Sequence, residues 1–154
     1  IVFEKKSCYV AELIAHSVNE LTTRAKNENK EILVDGDREQ LLVCDMEWTS
    51  EAIGNIVKNA LDHTQSGGTV HITWEHTPAM LRIFISDNGH GIAPEDIHHI
   101  FKRFYRSKHS IDTQGIGLGL PLAKSIVEGQ GGIISVQSAI NTGTTFTISF
   151  LTES

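Results

Sequence analysis

Residues 81–91 read Leu81-Arg82-Ile83-Phe84-Ile85-Ser86-Asp87-Asn88-Gly89-His90-Gly91. Leu81, Ile83 and Ile85 fall on alternate positions, so an extended segment here has one apolar face. Asp87 follows at the end of that strand, and the Asn88-Gly89 step turns the chain. Working outward, Val70, Ile72 and Trp74 alternate with His71, Thr73 and Glu75 in the same way. On the other side, strands over residues 133–138 and 144–151 flank a turn at Asn141-Thr142-Gly143, and Phe146, Ile148 and Phe150 give the last one its core face.

Helical spacing occupies the intervals. Val10, Leu13, Ile14, Ser17, Leu21 and Ala25 predict a first helix over residues 7–28, capped by Ser7. Trp48, Ala52, Ile53, Ile56, Val57, Ala60 and Leu61 form the apolar stripe of a second over residues 47–64, which Gly67-Gly68 ends. Pro94 suits the first turn of a short helix to Ile100, and residues 120–128 form another before Gly131-Gly132. Short strands at 31–34 and 41–44 flank the turn-prone Asp35-Gly36-Asp37. Ser107 to Gln114 is polar, lacks periodicity and reads as a mobile loop. The sum is a single α+β domain over residues 1–154, with helices on one face of a mainly antiparallel sheet.

A chain of 154 residues, 40% hydrophobic, has enough material to bury a core. A net charge of -6 argues against nucleic acid as the main partner, although Lys102, Arg103, Arg106 and Lys108 form a local basic cluster. Cys8 and Cys44 lack a C-x-x-C spacing, so the sequence suggests neither zinc nor a redox pair; free thiols in a reducing compartment are expected. None of the eight histidines has a zinc-type spacing. No run approaches the ~18 apolar residues needed to span a bilayer. The chain begins at Ile1 rather than Met, and an excised fragment of a longer parent is expected.

Four blocks carry chemistry. Glu51, Asn55 and Asn59 lie four residues apart on one helix face, with Asp62 and His63 one turn on. A solvated face explains such a stripe too, but asparagine is a mediocre helix former and two at this spacing need a reason. An amide oxygen from Asn59 suits magnesium, which takes few ligands from protein and the rest from phosphates and water. Asp87-Asn88-Gly89-His90-Gly91 fits a plain strand and turn; it also fits an aspartate that reads the exocyclic amino group of adenine. Gly115-Ile116-Gly117-Leu118-Gly119-Leu120 opens a helix, where free amides and the dipole favour phosphate. It matches neither the Rossmann nor the Walker pattern, and a flexible hinge is the alternative. Phe101, Phe104 and Tyr105 fit core anchors, while Arg106 beside them can pair with terminal phosphate oxygens.

In this order, the blocks resemble the ATP-binding catalytic domain of bacterial sensor histidine kinases, which shares its fold with the gyrase, mismatch-repair and heat-shock chaperone ATPases. The family's N box resembles Glu51-Ala52-Ile53-Gly54-Asn55-Ile56-Val57-Lys58-Asn59-Ala60, its G1 box Asp87 to Gly91, its F box Phe101 to Arg106 and its G2 box Gly115 to Leu120. The resemblance implies a two-layer α/β sandwich, a mixed sheet with helices on one face. It implies that Asn59 holds Mg2+, that Asn55 lies near the phosphates, and that Asp87 binds adenine. Tyr105 and Arg106 would approach the γ-phosphate, and with Asn55 they form the implied catalytic set. His63, Gly89, Gly91, Ile92, Gly115, Gly117, Leu118, Gly119, Leu120 and Thr144 complete the implied nucleotide contacts. The loop from Lys102 to Gln114 resembles the family's ATP lid.

Asn55 discriminates within the fold. The hydrolysing relatives place a glutamate four residues before the magnesium asparagine to activate water, and an amide cannot act as that base. The resemblance therefore implies γ-phosphoryl transfer from ATP to a histidine on a partner dimerisation domain of the same parent, in a homodimer. The phosphoryl group then passes to a response regulator's receiver domain. An ATPase driving conformational change and a non-catalytic nucleotide-sensing module are the competing readings. His16 is followed by Ser17-Val18, unlike the family's acceptor, so the acceptor domain is expected upstream. The implied location is cytoplasmic, with membrane attachment only through the parent. Asp62 and His63 depart from the family, which often has Lys or Arg and then Tyr. Asp62 would repel phosphate, whereas His63 can still pack against a base.

Overall fold

A computed structural model of the chain describes residues 1–105 and 119–152. The first strand, Lys6–Tyr9 (β1), runs directly into helix Val10–Val18 (α1), a 3-10 turn Asn19–Leu21 and helix Thr22–Asn27 (α2). Strands Glu31–Asp35 (β2) and Leu41–Cys44 (β3) precede the long helix Met46–His63 (α3). Then come Thr69–His76 (β4), Met80–Asp87 (β5), the short helix Pro94–Ile97 (α4), helix Gly119–Gly129 (α5), Ile133–Ala139 (β6) and Gly143–Leu151 (β7).

The first helix differs from expectation at its start. Ser7 does not cap it but lies in β1 opposite Val43, because β1 finds its hydrogen bonds in β3 across the chain. The helix begins at Val10, whose N–H donates to Gln40 O at 2.9 Å. The 3-10 turn divides it; one turn earlier, Ser17 Oγ donates back to Leu13 O at 2.6 Å, a bond that tends to bend helices. β2 and β3, on either side of Asp35-Gly36-Asp37, enter different sheets. β2 joins β4 in parallel, and β3 joins β1 antiparallel in a separate two-stranded sheet.

The main sheet has the order β2-β4-β5-β7-β6, mixed, with only the β2-β4 pair parallel. Val70, Ile72, Leu81, Ile83, Ile85, Phe146 and Ile148 are buried on one face, as their alternation requires. Helix α3 packs on this layer, with α1 and α5 on its flanks. Ile53, Ile56, Leu61, Leu13, Ile14 and Ile126 fill the interface. The result is the expected two-layer α/β sandwich.

Asp45 caps α3: its Oδ1 accepts from Trp48 N at 3.0 Å and its Oδ2 from Glu4 N at 2.8 Å. These donors hold its carboxyl below the usual range. Buried Gln130, just past α5, accepts from Asp45 N at 2.8 Å and donates to Thr49 Oγ1 at 2.9 Å. The starts of α3 and β1 and the end of α5 are thereby tied together. Among the described residues no helix is long and apolar enough to cross a membrane.

Candidate functional site

The C-terminal ends of β5 and α3 meet over the start of β7. Asp87 is the last residue of β5, only 8% exposed, and pairs with Thr144 in the β5-β7 ladder. Its Oδ1 accepts from Gly89 N at 2.9 Å, closing the turn back onto the carboxylate. Burial pushes the Asp87 carboxyl above its ordinary range, while the Gly89 and Thr144 N–H groups and nearby His90 pull it down. A largely desolvated carboxylate acceptor results.

Two glycines permit this approach of elements. A Cβ at Gly89 would lie 2.0 Å from the His63 carbonyl oxygen at the end of α3. At Gly143, φ is +138° and a Cβ would lie 2.0 Å from the Asp87 carbonyl oxygen. No side chain fits either gap. His90 N donates to the same His63 oxygen at 3.1 Å, so the turn is pinned to the helix end. The rings of His63 and His90 meet edge-on, Nδ1 to Nε2 at 3.1 Å.

Thr144 is 3% exposed, and its hydroxyl lies 2.8 Å from Ser138 Oγ. Ser138 Oγ also accepts from Ile92 N at 2.8 Å and donates to Gly143 O at 3.1 Å. Ile92 is buried beside this hub, and Gly91 supplies the carbonyl that accepts from His90 Nδ1 at 2.8 Å. The structure therefore brings Asp87, Gly89, Gly91, Ile92, Thr144 and His63 to one place. Ser138 was not singled out in the sequence, because a serine alternating along an amphipathic strand carries no signal of its own.

The other side of the site lies along α3. Asn55 and Asn59 are half-buried, and among the described residues neither amide makes a hydrogen bond, so neither is committed to the fold. Gly119, at the start of α5, sits against Asn55, where an added Cβ would stand 3.6 Å from the amide carbon. Leu120 is half-buried and packs against the core. Asp62 is held by Arg24 Nη2 of α2 at 2.5 Å, and Arg24 Nε also binds Glu28 Oε2 at 2.8 Å. Its charge is thus paired rather than left facing the stripe.

The aromatic block divides. Phe101 packs edge-on to Phe146 of the core, with Lys124 Nζ 5.3 Å above its ring. Phe104 is exposed, with Arg103 over its ring. Tyr105 stacks on His99 and gives its hydroxyl to buried Asp96 of α4, which raises the tyrosine pKa. Arg106, Gly115, Gly117 and Leu118, with the loop of residues 107–114, lie outside the described residues.

Chemically, the arrangement offers one buried carboxylate for an N–H donor and two uncommitted amides for polar oxygens or a hard cation. Among the described residues no group of three His, Cys, Asp or Glu side chains could hold a metal. A cation here would rest on amide oxygen and on the ligand's own oxygens. The position of Asn55 offers no base to activate water.

The family model described as "Histidine kinase-, DNA gyrase B-, and HSP90-like ATPase" matches residues 44–154. The sensor protein SrrB of Staphylococcus aureus is 38% identical over 106 residues, 68% of this chain and 18% of that protein. The chain therefore spans less than a fifth of the curated relative's length. Among solved structures, the mycobacterial sensor histidine kinase MprB has a TM-score of 0.83 and 27% identity, covering 96% of this chain and 97% of that one. The catalytic domain of histidine kinase ThkA has a TM-score of 0.84 and 25% identity, covering 96% and 95%; ThkA has also been solved in complex with the response regulator protein TrrA.

Proposed function

The chain belongs to the histidine kinase-, DNA gyrase B- and HSP90-like ATPase family, and from that premise we propose that it binds Mg-ATP and transfers the γ-phosphoryl group to a histidine on the dimerisation domain of its parent, in two-component signal transduction. The observation that carries this reading is the pairing of buried Asp87 with two uncommitted amides, Asn55 and Asn59, on the facing helix. Asp87 accepts from the exocyclic amino group of adenine, which selects against guanine because a carbonyl there would repel it. Gly89 and Gly143 let the end of α3 and the start of β7 close on Asp87, with Thr144, Ile92, Gly91 and His63 around it to receive a planar base.

Asn59 would hold magnesium through its amide oxygen, and Asn55 would orient the phosphates without acting as a base. The metal neutralises phosphate charge when bound. Gly119 and Leu120, continuing from Gly115, Gly117 and Leu118, offer amides at the start of α5 to the phosphate chain. Tyr105 and Arg106 approach the γ-phosphate. The acceptor domain is elsewhere in the parent, which acts as a homodimer anchored in the bacterial plasma membrane with residues 1–154 as its cytoplasmic catalytic domain. A response regulator's receiver domain takes the phosphoryl group next; the ThkA–TrrA complex supports this partner class. Nucleic acid is no partner.

The test combines the chain with a dimerisation domain from its parent and γ-labelled ATP. Acid-labile phosphohistidine on that domain is expected. Release of free phosphate alone would favour an ATPase of the same fold, and nucleotide binding with neither product a sensing module.

A further inference from the structure

The two cysteines, 36 positions apart in sequence, come together where β1 and β3 pair. Lys6 lies opposite Cys44 and Cys8 opposite Leu42, which sets Cys8 and Cys44 diagonally on the same face of the ladder. Their sulfurs are 3.6 Å apart and both are thiols. Cys44 is 1% exposed, whereas Cys8 is half-buried and opens on a surface cleft also lined by Lys6, Glu12 and Glu47.

We propose that Cys8 and Cys44 form an oxidisable dithiol that a small hydroperoxide closes to a disulfide, locking β1 to the residue before the cap of α3. The inference stands apart from the nucleotide site and from the kinase reading. A disulfide needs its sulfurs about 2.05 Å apart, so closing the 3.6 Å gap takes rotation of both side chains and an approach of the two strands across their diagonal. The thiols are unequal. The hydrogen bond between the two sulfurs lowers the Cys8 pKa, against the opposing effects of burial and Glu12, while that bond and burial push Cys44 up. Cys8 is therefore the thiol that ionises and reacts first, and access through the cleft agrees.

The chemistry balances with hydrogen peroxide as oxidant. The Cys8 thiolate attacks one peroxide oxygen, the O–O bond breaks, and the departing hydroxide takes up the Cys8 proton as water, leaving a sulfenic acid. Cys44 sulfur then attacks Cys8 sulfur; the S–S bond forms, the S–O bond breaks, and hydroxide leaves as water with the Cys44 proton. Two thiols and one peroxide give one disulfide and two waters.

The experiment treats the chain with hydrogen peroxide, then counts free thiols and measures the intact mass. The expected product is a monomer lighter by two hydrogens, with both thiols lost together and restored by dithiothreitol. Cys44→Ser should stop at the first step, so that dimedone, a sulfenic acid trap, labels Cys8. Cys8→Ser, at a half-buried strand position, should keep a titratable Cys44 under the same treatment; circular dichroism checks that each variant is folded. Persistence of both thiols, oxygen addition at Cys8 with Cys44 still titrating, or a disulfide only between two copies would overturn the proposal.

Discussion

Replacing Asp87 by Asn separates recognition from stability. The Asn carbonyl can still accept from Gly89 N, the bond that closes the turn at 2.9 Å. The other oxygen becomes an amino group, so a donor faces the donor of adenine. Loss of a hydrogen bond to a charged group costs about 1.5–3 kcal/mol, or roughly 10- to 150-fold in affinity. Titration calorimetry with ATP reads this directly. Stability should move the other way. The Asp87 pKa is raised in the fold, chiefly by burial. Between the ordinary aspartate range and the raised value, the folded state holds more protons than the unfolded, so stability falls as pH rises through that window. Asn escapes this loss. Nucleotide-free Asp87→Asn should therefore unfold at higher urea than the parent at neutral pH, with the pH-dependent part of the gain vanishing in acid. Unchanged ATP affinity would remove Asp87 from base recognition, and a stability gain over the parent that shrinks as the pH rises through that window would refute the burial argument.

Asn59→Ala should lose the magnesium-stimulated part of nucleotide affinity while keeping weak binding of metal-free nucleotide; normal stimulation by magnesium would show that Asn59 is no ligand. Gly89→Ala forces a Cβ to 2.0 Å from the His63 carbonyl, so backbone must move. We expect a loss of about 1–3 kcal/mol in urea unfolding, with weakened binding, since overpacking at a rigid contact costs that much. Gln130→Ala leaves the buried Asp45 N–H and Thr49 hydroxyl without their partner, a cost of about 1–3 kcal/mol in the same assay. ATP affinity should survive that change, because Gln130 lies outside the site.

Much of the sheet was legible because alternation is a local property. Val70, Ile72 and Trp74, Leu81, Ile83 and Ile85, and Phe146, Ile148 and Phe150 declare their face within a few residues, and each set is buried as expected. The position of Asp87 at a strand end followed from the same pattern. What failed was pairing between distant segments. Ser7 looks like a helix cap until β3, over thirty residues on, supplies a ladder for it. Cys8 and Cys44 look unrelated for the same reason. The stripe of Asn55, Asn59 and Asp62 was visible from helical spacing, but Arg24, which pairs with Asp62, comes from another helix. Tyr105 gave no hint that Asp96 would hold its hydroxyl.

β5 occupies the middle of the five-stranded sheet, with β4 bonded along one edge and β7 along the other. Its amides are shielded on both sides, and a central strand opens to solvent only when the whole structure does. Deuterium should enter its backbone at the rate set by global unfolding, slower than in β2 or β6 at the margins. Asp87 is the terminal residue of that strand, so the acceptor stands on the longest-lived part of the molecule. Its aim is then insensitive to whatever the surrounding loops and helix ends do between encounters with a ligand.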